Sequence, residues 1–392
     1  MKGKRWVLCA AAAIILFAAP CAKAEESLDE AIRSEVEKNI GSMDLAGWDQ
    51  TISGVSEDIA GLFSGDSAGG MIQEFSLNGF TVDGQNIFDS LLNILKTNIW
   101  SQVGLLTMLL LISLTTGLVR AMISEEKGSL QELIGFICYC VAVGIVILAF
   151  GRSVEIGKKA IDDLTRFIEL AFPVLITMLS ATGALASGGM MQPTMSLLCG
   201  TMANVIKNIV VPVSLIGGAL AVLNNITGKM QLAQLYSLCK SVVKWVLGLT
   251  FTLYLGITAL QGLSAKAVDG LSIRTAKFAL DKFVPIVGGM VSGTIDTVLG
   301  CALLVKNAAG ITAIVIAFCL IASPLAAIAG NIIVFRIAAA ASEPIADPRL
   351  PKMFASVAEV LTYLFAAVVV LGAMFIITAG LIIGMNGSLM IA

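Results

Sequence analysis

Histidine is absent from all 392 residues, which removes the commonest general base and the commonest metal ligand together. Charge is scarce as well: 13% of residues are Asp, Glu, Lys or Arg, about half the share found in soluble domains. There is no phosphate-binding loop, nucleophile elbow or run of metal-ligand spacing. Gly288-Gly289 is no dinucleotide fingerprint, because it lies in an apolar segment without the strand that motif needs. These absences predict a protein that is no enzyme and takes no cofactor, metal or nucleic acid. Cysteine is missing from residues 25–98, so a disulfide framework is excluded there. The cysteines beyond it, at 138, 140, 199, 239, 301 and 319, lie in or beside apolar runs and read as small packing residues.

What is abundant is apolar: 57% of residues are hydrophobic and mean hydropathy is +0.92. The expected fold class is all-α, a polytopic helical bundle in a lipid bilayer preceded by a small helical exported segment. Lys2, Lys4 and Arg5, the apolar run Trp6 to Ala19, and Ala22-Lys23-Ala24 give residues 1–24 the form of a signal peptide cleaved after Ala24. Residues 25–98 then carry fourteen acids against three bases, a net charge of −11. Such a segment reads as an exported acidic head, with a solvated linker accounting for its Gly/Ser-rich break at 65–70. Its stripes at Leu28, Ile32 and Val36, at Ile52, Val55, Ile59, Leu62 and Phe63, and at Ile87, Phe88, Leu91, Leu92 and Leu95 predict three amphipathic helices. They are narrow, and would pack on each other, on the membrane or on a partner.

The membrane domain, 99–392, contains apolar segments at 100–122, 131–150, 168–187, 195–222, 242–262, 284–305, 310–335 and 359–384. Each is close to or above spanning length, so about eight helices are expected. With the head outside, 123–130, 188–194, 263–283 and 336–358 fall in the cytoplasm, and two of them carry the expected excess of bases. Arg152, Lys158, Lys159 and Arg166 oppose this arrangement, although Glu155, Asp162 and Asp163 accompany them. That stretch is either an interfacial amphipathic helix or a sign that a neighbouring segment is re-entrant and the count is seven.

Residues 173–182 match 285–294 at an offset of 112, and the same offset pairs Gly188 with Gly300, Pro212 with Pro324, Gly218 with Gly330 and Lys240 with Lys352. We therefore expect repeats at 167–262 and 279–374. Three crossings in each copy would turn the second one over, giving an inverted repeat of the kind that places a pathway at the bilayer midplane. The alternative is that apolar helices match by composition alone. Pro173, Pro212, Pro285 and Pro324 are candidates for shaping the helices, or plain kinks of a sort common in membranes. Asp296 and Lys207 lie inside apolar segments, where a charge costs about 2.5–3.5 kcal/mol on insertion scales. Asp296 shares a small-residue face with Gly288, Ser292 and Gly300. Each charge could serve a polar pathway or an interhelical bond, and Lys207 could also snorkel.

The run Arg274-Thr275-Ala276-Lys277-Phe278-Ala279-Leu280-Asp281-Lys282-Phe283-Val284-Pro285-Ile286-Val287-Gly288-Gly289, continuing through Asp296-Thr297-Val298-Leu299-Gly300-Cys301 to Lys306-Asn307, resembles the stage III sporulation protein AE family. The resemblance implies a component of the channel-like complex between mother cell and forespore, lying in the mother-cell membrane around the forespore. It implies as partners the other proteins of the stage III sporulation A operon and stage II sporulation protein Q, and it carries over no catalytic or ligand residue. A permease-like core, a non-conducting scaffold and a stand-alone secondary transporter remain the alternatives, and association of the chain with itself is left open.

Overall fold

The computed structural model describes residues 30–54, 67–79, 84–122, 128–224, 232–283 and 288–385; side chains are described for most of these, but not for 263–283 or 288–297. The expected signal segment with Ala24, the stripe from Val55 to Phe63, and Pro285 lie outside the described residues. Every element within them is helical. The head consists of α1 (30–41), α2 (Ala46–Ser53), α3 (Ala68–Asn78) and α4 (Gly84–Ser101). The expected break at 65–70 is in part a helix start: the Ser67 Oγ accepts from the Gly70 amide at 3.1 Å and caps α3.

After the head come α5 (Val103–Met122), α6 (Gly128–Ala181), α7 (Leu185–Val205), a π turn (Ile206–Val210), α8 (Val211–Leu223), α9 (Ala233–Phe283), α10 (Gly288–Ser342) and α11 (Arg349–Gly384). Among the described residues five helices are long and apolar enough to span a membrane, or six if Leu92–Ser101 and Val103–Val119, bent by 42°, count as one. The expected eight falls short because two pairs of segments are fused. Residues 151–167 are no loop: they continue α6, with Ser153, Val154, Ile161, Leu164 and Phe167 buried and the charges outward. Residues 306–309 contain no helix breaker, and α10 runs straight through them. At 54 and 55 residues, α6 and α10 are each about 80 Å long, against about 30 Å of hydrocarbon.

Contacts fix the direction of each helix. Tyr139 bonds to the Val222 carbonyl and Asp162 meets Lys207, so α7–α8 runs against α6. Leu364 packs at Gly157 and Phe375 on Phe167, so α11 runs with α6. Ile321 meets Gly372 and Ile383 meets Gly310, so α10 runs against α11. Tyr236 bonds to Ser356 and Tyr254 to Met374, so α9 runs with α11. Two consequences correct the sequence-based topology. Residues 173–182 and 288–294 run in opposite directions, as inversion requires, whereas 211–223 and 323–335 run the same way, as do 236–254 and 348–366, so the paired stretches do not share one sense. Fusing 284–305 with 310–335 removes one crossing from the second copy and changes the parity on which inversion rested. The ends of α6 and α9 lie at one end of the bundle and the turn between α10 and α11 at the other.

In lipid, apolar burial gains little over contact with acyl chains, so small residues that allow close approach do much of the holding. Gly157 admits Leu364, and Gly218 lies under the ring of Phe150 where a Cβ would not fit. Gly183, with φ +85, ends α6 in the left-handed conformation that glycine adopts freely. The head docks along the bundle. Trp48, 1% exposed, sits edge-on to Phe167 at 5.7 Å, and Met71 and Ile94 join Val315, Cys319 and Ala322.

Candidate functional site

The seam between α6 and α7–α8 gathers polar groups inside the bundle. Pro212 has no amide to offer the carbonyl four residues earlier, and the backbone immediately before it widens into the π turn Ile206–Val210. Such single π turns frequently mark functional sites. Lys207 lies in this turn and its Nζ stands 2.6 Å from Asp162 Oδ1 of α6, with both side chains part-exposed. A cavity of about 70 Å³ lies along the same seam, lined by Thr165, Glu169 and Pro173 on one side and Cys199, Gly200 and Ala203 on the other. Three sequence-selected residues, Lys207, Pro212 and Pro173, therefore meet at one seam. Pro173 leaves α6 unbroken, and Thr177 donates to its carbonyl at 2.7 Å. Pro324 lies elsewhere, inside an unbroken α10. Asp296 falls within α10, but its side chain lies outside the described residues.

Three further polar clusters were not selected from the sequence. Lys306 is 0% exposed and its Nζ donates to the carbonyls of Ile382, Ile383 and Met385 at 3.1, 3.1 and 2.6 Å. These are the carbonyls a helix C-terminus leaves unpaired, so a cation from α10 closes the end of α11. Glu359 receives both bonds of Lys240 at 2.9 Å, one from Tyr236 at 3.0 Å and one from Tyr363 at 3.2 Å. It stands at the edge of a cleft of about 830 Å³ that also presents Arg336, Glu343 and Lys352. Tyr254 bonds to the Met374 carbonyl at 3.0 Å, to Thr378 Oγ1 and to Cys199 Sγ at 3.3 Å.

Lys306 escaped because it falls between two segments taken as separate spans. The signal for Glu359 was available: it is the only acid after Asp347. Among the described residues no group of three or more His, Cys, Asp or Glu could hold a metal ion. The six cysteines among the described residues are free thiols; Cys301 and Cys319 are buried in apolar packing, and buried Cys199 bonds to Tyr254.

Taken together, these features define an all-helical, multi-span membrane protein with charged pairs and buried polar groups between its helices. The stage III sporulation protein AE family matches residues 67–386, and the chain belongs to that family. It is 26% identical over 390 residues to the stage III sporulation protein AE of Bacillus subtilis (strain 168), an alignment covering 98% of each chain. No solved structure matches. The chain is thus a sporulation-related membrane protein.

Proposed function

We propose that this chain is the permease-like core of the channel-like complex between mother cell and forespore that endospore development requires. The observation that carries this reading is the Asp162–Lys207 pair, held at a π turn inside an apolar span beside a cavity. Ionisable groups at membrane depth are costly and tend to line substrate or ion routes. In this reading the protein catalyses no reaction, lies in the mother-cell membrane around the forespore, and assembles with the other A-operon proteins and stage II sporulation protein Q.

Replacing the chain by Asp162→Asn in sporulating cells tests the core role. A pathway predicts arrested forespore development with protein at normal levels in the membrane. Full development with the variant at normal levels removes the pair from any route.

A scaffold reading is favoured by one observation: Glu30, Glu37 and Asp44 face outward from the docked head. It predicts that deleting residues 25–80 abolishes recovery of partners from sporulating cells while insertion of the remaining chain is normal. Undiminished recovery would leave the membrane helices as the assembling part.

A further inference from the structure

We propose that the charged outer face of α6 between Arg152 and Glu169 is the surface through which copies of this chain associate side by side in the membrane. Four bases, Arg152, Lys158, Lys159 and Arg166, and four acids, Glu155, Asp162, Asp163 and Glu169, share one side of the helix. The opposite side of the same turns is buried against α10 and α11, with Ser153 bonded to Asn331 and Leu164 close to Gly372.

This face does not belong against lipid. At the same height on the bundle, set by Tyr254 beside Met374 and Phe167 beside Phe375, α9 exposes Trp245, Leu249 and Leu253. The helices α7–α8 and α11 pack against both α6 and α9 and lie between them. That side exposes one charge, Lys244, among apolar residues, where the other carries eight, each costing about 2.5–3.5 kcal/mol in hydrocarbon on insertion scales.

The order of the charges selects the occupant. Along the helix the signs run plus, minus, plus, minus, plus, minus, changing every three or four residues. A parallel copy of the same face thus offers an acid to every base within one helical turn, as flanking charges do in parallel coiled coils. A common orientation in the membrane requires copies to be parallel. The face is neutral, four against four, so anionic headgroups or a partner of one sign would leave half of it unmatched.

Among the described residues, only Asp162 of the eight has an opposite charge within 4.0 Å, and that is Lys207. The other seven are unpaired, although their spacing would permit pairing along the helix. Exposed Leu148 flanks the charges with apolar contact at one end, and at the other Leu170 packs against Gly47 of the head.

This inference deepens the permease reading by naming a second copy as partner, but the two fail separately. In the full-length chain without its native cysteines, Lys159→Cys treated in native membranes with a short bis-maleimide should give covalent dimers. Trp245→Cys, on the apolar side, should stay monomeric. Differently tagged wild-type chains should also co-purify, and Lys158→Glu with Lys159→Glu should lower self-recovery at least about tenfold by setting like charges together. Adding Glu155→Lys and Asp163→Lys to that pair returns the face to four bases against four acids and should restore recovery.

A monomer at position 159, cross-linking of that position to a different protein, or wild-type self-recovery by the charge-reversed pair would overturn the proposal. Intact self-association with blocked forespore development only in Asp162→Asn would support both readings. Intact association with normal development in that variant would count against the pathway alone.

Discussion

Lys207 and Asp162 meet at 2.6 Å across the seam between α6 and the π turn. Neither is fully withdrawn from solvent, so the pair should behave as a modest bond whose loss is felt through its partner. We expect Lys207→Met and Asp162→Asn each to destabilise the purified protein, and the double variant to lose less than the sum. A coupling of about 1 kcal/mol is expected for a part-exposed pair, read from a double-mutant cycle of thermal unfolding in detergent. Strict additivity would show that the two residues are neighbours without interaction.

Lys306 presents a sharper case because it is fully buried and bonded to three carbonyls. Lys306→Met keeps the length of the side chain and leaves those carbonyls unmet, at about 1–3 kcal/mol for each buried group left without a partner. The end of α11 should fray first. Limited proteolysis should cut the variant near residue 385 while the wild type resists. Equal resistance would mean that the lysine does not hold that end.

The approach of Gly218 to the ring of Phe150 leaves no room for a methyl group. Gly218→Ala should therefore cost about 1–3 kcal/mol by overpacking and reduce the folded yield. Phe150→Leu in the same chain should recover most of the loss. If the second change gives no relief, the clash lies elsewhere.

Topology offers a test independent of stability. Probes at Gly183 should report the side on which the head lies, whereas probes at Ala346 and between Leu223 and Ala233 should report the other. Cysteine labelling with a membrane-impermeant reagent distinguishes them. Agreement between Gly183 and Ala346 would contradict the helix directions found here.

Much of this architecture was legible in the residues, and the exceptions share a cause. Apolar runs located the membrane helices because spanning lipid demands a long run of such residues. They did not show where one helix ends and the next begins, since no residue between 150 and 168 or between 305 and 310 compels a turn. A charged stretch reads as a loop by composition, yet a helix with one buried face tolerates it, as α6 does.

Pro212, a candidate for shaping its helix or a plain kink, adjoins the π turn; a missing amide is a local property visible in the chain. Glu359 stands out as a lone acid, but its partner Lys240 lies 119 residues away, and Lys306 acts through a partner 76 residues away with no local pattern to announce it. The offset of 112 was visible, but its sense, parallel or inverted, depends on counting crossings and was lost with the count.

The continuity of α6 has a mechanical meaning. Phe167, where the head's Trp48 rests, and Tyr139, which bonds to Val222 at the far end, belong to one uninterrupted helix and are separated by roughly 42 Å of it. An unbroken helix resists stretching and transmits displacement along its length without a relay of rearranging side chains. A push or pull on the head is therefore delivered to the opposite end of the bundle as movement of a single strut.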